Sequence, residues 1–197
     1  MRVTSFCLTL LLALPGFAAE LDTSAFDPND DFELTPTDSG LILTWISPEG
    51  QSYVEFQVVP QQGNNAAGPL IREIGVDGDA AMTGVDPHYL FFIGERDLNL
   101  REMDDGWMIF FYCVHRRTDG AEKAVLTPEN ISVSTNGSRA TVEFDGLQSP
   151  NFSGTLAFLF YHDSPFIHME ARVTTERPAT AFLYHVGLAK ADPAGHE

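Results

Sequence analysis

Ser153–Leu188, SGTLAFLFYHDSPFIHMEARVTTERPATAFLYHVGL, sets the fold class expected of the chain. It divides into three β-rich runs, Ser153–Tyr161, Phe166–Thr174 and Ala181–Leu188. The segments His162-Asp163-Ser164-Pro165 and Thr175-Glu176-Arg177-Pro178 join them as turns. In the middle run Ile167, Met169, Ala171 and Val173 fall on one side, and His168, Glu170, Arg172 and Thr174 on the other. A period of two gives a strand one dry face and one wet face. The outer two runs are apolar on both sides, which predicts strands near the middle of a packed sheet.

The same signals recur along the rest of the chain. Leu41–Ile46 and Ser52–Val59 flank Ser47-Pro48-Glu49-Gly50-Gln51, a hairpin pattern. In its second strand Val54, Phe56 and Val58 share one face and Tyr53, Glu55 and Gln57 the other. Pro69–Ile74 predicts a short strand, Asp77–Pro87 a loop punctuated by Gly78, Gly84 and Pro87, and His88–Ile93 a compact apolar strand. Gly94–Gly106 is strongly charged, and Trp107–Arg117 is the longest apolar strand pattern in the chain. Asn130–Ser134 and Ala140–Phe144 flank Asn136-Gly137, a hairpin signal because both residues tolerate positive φ. No amphipathic helix, heptad or internal repeat is legible. The expected fold is therefore an all-β, antiparallel β-sandwich.

The N-terminus has a different character. Arg2 precedes an apolar run, Phe6–Leu14, and then Pro15-Gly16-Phe17-Ala18-Ala19, the three parts of a secretory signal peptide. The apolar run is far shorter than the roughly 20 residues of a membrane-spanning helix. The expected organisation is a signal peptide over 1–19, a polar lead-in or linker over 20–37 and one sandwich domain over 38–197, secreted or periplasmic, with no membrane insertion. Loss of Cys7 with the signal leaves Cys113 as the single cysteine, so the domain relies on its core rather than on an internal disulfide. The strongly apolar last run must pack inside, either centrally or under sequence beyond this chain.

Twenty-eight acidic against eleven basic residues give a net charge of −17, which argues against nucleic acid and anionic membrane surfaces as partners. No phosphate-cradling glycine loop, nucleophile elbow, Cys-x-x-Cys or dinucleotide fingerprint is present. Asp27-Pro28-Asn29-Asp30-Asp31 has oxygen ligands suited to Ca²⁺. The EF-hand spacing is absent, however, and Asx turns explain the same composition. No cofactor and no defined metal site is implied. Asn130-Ile131-Ser132, Asn136-Gly137-Ser138 and Asn151-Phe152-Ser153 each fit the N-glycosylation sequon.

Three constellations could carry chemistry. His168 and Glu170 project from one face of a strand, with His162 in the preceding turn. If the strands pair in order, His185 approaches His168 and makes an acid–base pair or metal site conceivable. The plainer reading is a polar outer face with hydrogen-bonded histidines. Second, Asp86 beside His88, and Glu95, Asp97, Asp104 and Asp105, are carboxylates of the kind a glycosidase pair would need. Third, Trp45, Tyr53, Trp107, Tyr112, Tyr161 and Tyr184 are candidates for stacking on sugar rings. Trp107 and Tyr112 are expected in the core; Tyr53, which shares a face with Glu55 and Gln57, and Trp45 are the ligand-binding candidates.

Gly154-Thr155-Leu156-Ala157-Phe158-Leu159-Phe160-Tyr161, followed by Ser164-Pro165-Phe166-Ile167-His168-Met169-Glu170-Ala171-Arg172-Val173, resembles the galactose-mutarotase-like super-sandwich domains of bacterial polysaccharide-active enzymes. The resemblance lies in strand pattern, over about a fifth of the chain, and transfers no catalytic residue. It implies a super-sandwich-like fold and a polysaccharide or glycan partner. The first expectation is a carbohydrate-associated domain, binding or accessory to polysaccharide processing. The second is a structural or adhesive cell-envelope domain without a small-molecule site. The third is a lyase or hydrolase domain using His168 or His185 with a carboxylate.

Overall fold

The computed structural model describes residues 19–58, 69–95, 121–178, 180–189 and 192–193. All regular structure among them is β. In chain order the strands are β1 (Glu20–Ala25), β2 (Phe32–Thr37), β3 (Gly40–Ser47), β4 (Gly50–Gln57), β5 (Ile71–Val76), β6 (Asp79–Glu95) and β7 (Ala121–Lys123). There follow β8 (Val125–Leu126), β9 (Asn130–Asn136), β10 (Arg139–Ser149), β11 (Phe152–Tyr161), β12 (Ile167–Thr174), β13 (Thr180–Ala189) and β14 (Asp192–Pro193). The first sheet runs β1-β9-β10-β11-β12, with β8 also on β10. The second runs β13-β6-β5-β4-β3-β2, with β7 and β14 also on β6. Pairing is antiparallel except between β1 and β9.

The two sheets pack in a sandwich-like arrangement because alternation gives each an apolar inner face. Across the second sheet, Leu43 stands opposite Leu34 and Val54, and Leu41 stands opposite Phe56. The first sheet answers with Ile131 and Val133 on β9, Val142 and Phe144 on β10, and Leu156, Phe158 and Phe160 on β11. Rings cross the interface: Phe56 lies 4.9 Å from Phe158 and 5.2 Å from Phe144, and Phe91 stacks at 5.0 Å on Phe152. Phe56 is fully buried, so truncating it to alanine would cost about 3–5 kcal/mol.

The Ser47–Gly50 connection and the β9–β10 hairpin stand where the pattern puts them. The turn type of the second differs from the expectation. Asn136 is already paired with Arg139, and of the loop residues only Gly137 has positive φ, at 60°. That matches a type II′ turn, whose glycine is the first central residue, rather than a type I′ turn through Asn136. On β12, Ile167, Met169, Ala171 and Val173 pack against the core as expected.

Four expectations are corrected. Residues 20–37 are not merely a lead-in, since β1 and β2 lie within them and bury Leu21 and Phe32. Pro36 is tolerated because β2 is an edge strand among the described residues. Residues 77–87 are not a loop. Asp77 (φ 52°) and Gly78 (φ 85°) form a two-residue turn between Val76 and Asp79, and β6 then continues through Gly84 and Pro87. Positive φ at both central residues suits the right-handed twist of a hairpin. Among the described residues the strand Ala181–Leu188 is not central: β13 ends the strand order of its sheet, with Tyr184 67% exposed. Finally, β12 and β13 do not pair, because they belong to different sheets. The predicted strand over 107–117 lies outside the described residues, as do residues 1–18 of the predicted signal peptide.

Candidate functional site

At one end of the sandwich three connections converge. The turn after β11 is pinned at three points: His162 N–H donates to the Ser138 carbonyl at 2.9 Å, Asp163 N–H to the Ile46 carbonyl at 3.0 Å, and Trp45 Nε1–H to the Ser164 carbonyl at 2.8 Å. Asp163 adopts φ 63°, a left-handed conformation to which Asp is better suited than most residues. The β1–β2 loop is held on the β9–β10 hairpin. Asp27 N–H donates to Thr135 Oγ1 at 2.9 Å, and Gly137 N–H donates to Asp30 Oδ2 at 3.1 Å.

These contacts frame an open groove of about 280 Å³, lined among others by Asp30, Asp31, Glu33, Gln51 and His162, with Trp45 at its base. Asp31, Glu33 and Gln51 are exposed, whereas His162 is half-buried with Nδ1 3.3 Å from Asp163 Oδ2. The wall is therefore rich in acceptors, with an amide that both donates and accepts and an imidazole whose two ring nitrogens can donate or accept. Such a wall suits a ligand presenting hydroxyl or ammonium donors. Phe166, 79% exposed, follows on the same turn, and Tyr161 precedes it, also exposed.

The sequence pointed to part of this groove through Asp27–Asp31 and His162, but as separate features. Glu33 and Gln51 carried no signal, because their approach depends on β2 and β4 being set on either side of β3. The Asp27 side chain is committed locally, with Oδ1 accepting both the Asn29 N–H at 2.9 Å and Asn29 Nδ2–H at 2.8 Å. These bonds hold its carboxyl below the usual range. This is the Asx-turn chemistry, and among the described residues no three His, Cys, Asp or Glu side chains gather in a metal-binding group.

The other candidates are dispersed. His168 lies opposite Leu159 on the outer face of the first sheet, whereas His185 lies opposite Leu90 in the second. They are not brought together, which corrects the expected acid–base or metal pairing. Glu170 is engaged by Arg172, whose Nε lies 3.0 Å from Glu170 Oε1 and whose Nη1 lies 2.9 Å from Glu143 Oε2. The hydrogen bond from Arg172 holds the Glu170 carboxyl below its ordinary range. This network crosses the register position of Ala157, which is fully buried although it faces outward.

The two ligand-binding candidates are also corrected. Trp45 is 2% exposed, its ring lies 5.0 Å from Phe160, and its N–H is satisfied by Ser164, so neither face is open for stacking. Tyr53 is half-buried. Its ring lies over Gly75, where an added Cβ would collide with it, and its hydroxyl donates to Glu73. Burial and that hydrogen bond push the phenol up to about 12. Asp86 Oδ1 accepts the Leu70 N–H at 2.8 Å, a structural use. Asp97, Asp104, Asp105, Trp107, Tyr112 and Cys113 lie outside the described residues, as does the Glu95 side chain.

No known protein family, no curated protein and no solved structure matches the chain.

Proposed function

We propose that the chain is an exported, carbohydrate-associated β-sandwich domain of super-sandwich type, which binds a glycan at the groove beside the β11–β12 turn. The observation that carries this reading is the groove itself: acceptors from Asp31 and Glu33, the Gln51 amide and His162, the last on the β11–β12 connection that also carries the exposed Phe166. Sugars present hydroxyl donors and, on one side of the ring, an apolar C–H face, so a polar wall beside an aromatic suits both. The acidic lining favours neutral or amino sugars over uronates, which it would repel. Export is supported by the basic residue, apolar run and small residues of 1–19.

A glycan array probed with the purified chain, with and without Ca²⁺, tests the reading. Binding is expected to weaken about tenfold or more, some 1.4 kcal/mol, in Phe166→Ala and in the double variant Asp31→Asn/Glu33→Gln. Absence of binding by folded protein, or binding indifferent to both variants, overturns it.

A structural or adhesive envelope domain is the second reading, favoured by one observation. Phe182, Tyr184, Val186 and Leu188 form an exposed apolar row along β13, the last strand of its sheet among the described residues. Exposed apolar patches mark contact surfaces more often than small-molecule sites. A lyase or hydrolase role through His168 and His185 lacks the convergence such chemistry requires.

A further inference from the structure

We propose that Asn136 is the glycan-acceptor asparagine of the folded chain, and that the fold closes the sequons at Asn130 and Asn151. The three tripeptides are equivalent as sequence and differ entirely in setting. An N-glycosyltransferase must grip the tripeptide and present the side-chain amide nitrogen to an activated sugar. Asn136, Gly137 and Ser138 are all exposed, on the turn between β9 and β10. Among the described residues the Asn136 amide makes no hydrogen bond. The turn is held through its backbone instead, by Asp30 on the Gly137 N–H and by His162 on the Ser138 carbonyl.

The other two amides are committed. Asn130 Nδ2 donates to Asp145 Oδ2 at 2.6 Å, while the Glu129 and Asn130 N–H groups donate to Asp145 Oδ1 at 2.7 and 2.9 Å. Its tripeptide is embedded in the first sheet: Asn130, Ile131 and Ser132 pair with β1, Ile131 and Ser132 pair also with β10, and Ile131 is fully buried. Asn151 Nδ2 and N–H both donate to the buried carboxylate of Glu122, and Phe152 sits in the core against Phe91. Reaching either tripeptide requires local unfolding of a strand, so the folded chain offers one acceptor.

In the transfer, the Asn136 side-chain amide nitrogen bonds to the anomeric carbon of a nucleoside-diphosphate sugar. The bond from that carbon to the diphosphate oxygen breaks, the nucleoside diphosphate leaves with the electron pair, and the amide gives one proton to the transferase. The sugar would stand beside the groove, since Asp30 and His162 belong to both the turn's contacts and the groove's lining.

The test incubates the purified full chain, folded, with a soluble sequon-specific N-glycosyltransferase and UDP-glucose, followed by intact-mass and peptide analysis. One hexose is expected at Asn136, absent in Asn136→Gln and in Ser138→Ala, with modification at Asn130 and Asn151 about tenfold slower or more. The same reaction on the proteolysed chain is expected to open the other two sites. No hexose at Asn136 of the folded chain, or comparable rates at all three, overturns the proposal. So does failure of Asn130 and Asn151 to react in the proteolysed chain, because the fold would then not be what closes them.

Discussion

Trp45 and Tyr89 show how one hydrogen bond changes the value of a buried aromatic. Trp45 packs on Phe160 and donates to the Ser164 carbonyl, so it anchors the turn that carries His162. Trp45→Phe keeps much of the ring contact and leaves that carbonyl without its donor, which should cost about 1–3 kcal/mol in urea unfolding. A neutral result would mean the turn is held by its backbone contacts alone. Tyr89 is the opposite case. Its hydroxyl is buried with no partner among the described residues, and burial pushes its phenol up to about 12. Removing the orphaned group in Tyr89→Phe should be neutral or stabilising by about 1 kcal/mol, and a loss larger than that would reveal a partner for the hydroxyl. Alternation alone placed Tyr53 away from the core face, but it could not show that the ring lies over Gly75 and reaches Glu73. That neighbour is set by the register between β4 and β5, which no local pattern encodes.

Asp145 carries the pH dependence at the same scale. Burial pushes its carboxyl up, but the N–H groups of Asn130 and Glu129 and the Asn130 side chain outweigh this and hold it below the usual range. A carboxyl whose folded pKa is depressed contributes stability that is present above its unfolded value, near 4, and lost as pH falls through the folded value. Asp145→Asn should therefore lower stability at pH 7, by about 1 kcal/mol once solvent screening is allowed for. It should also flatten the loss of stability between pH 5 and the acid limit, measured by urea midpoints across that range. An unchanged acid slope would show that other carboxylates dominate it.

At the scale of elements, the sequence was clearest where local chemistry suffices and weakest where a partner decides. The β3–β4 and β9–β10 hairpins were legible because turn residues and alternation agree. Asp77-Gly78 offered an equally strong turn signal, but Gly84 and Pro87 drew the whole segment into a predicted loop, and β6 passes through both. The apolar run of β13 looked central because edge and centre share a composition when the covering layer is unknown. Glu122 was invisible for a related reason: a lone glutamate in a short strand has no pattern. It is buried, and its carboxylate accepts Ser149 Oγ–H at 3.1 Å, the Asn151 N–H at 3.2 Å and Asn151 Nδ2–H. The contact ties β7, in the second sheet, to the turn between β10 and β11, in the first. Glu122→Ala would strand those donors and should cost about 2–3 kcal/mol, with Glu122→Gln recovering part of it. Equal losses in the two variants would show that volume, rather than hydrogen bonding, is what the site uses.

At the scale of the whole molecule, two facts govern behaviour: strand order and charge. Strand order separated His168 from His185, and it is a tertiary property that a residue-by-residue reading has no means to supply. Charge was fully legible. The chain carries −17, and the described ion pairs, Arg72–Glu55 and the Arg172 pairs with Glu143 and Glu170, are few against that excess. Salt weakens both attraction and repulsion, so the sign of its effect depends on which is larger. Exposed pairs are each worth about 0–1 kcal/mol, whereas repulsion among the unpaired carboxylates is summed over the surface and opposes the compact state. The Debye length falls from about 30 Å at 0.01 M to about 8 Å at 0.15 M, which spans the distances between neighbouring surface charges. The midpoint of thermal unfolding should therefore rise on adding NaCl across that range. Most of the gain should come below about 0.2 M, and KCl should act alike, because screening depends on ionic strength rather than on the ion. A midpoint that falls with salt would place the net stabilisation in the ion pairs. A rise produced by CaCl₂ but absent with NaCl and KCl at matched ionic strength would instead require a specific cation site in place of screened self-repulsion.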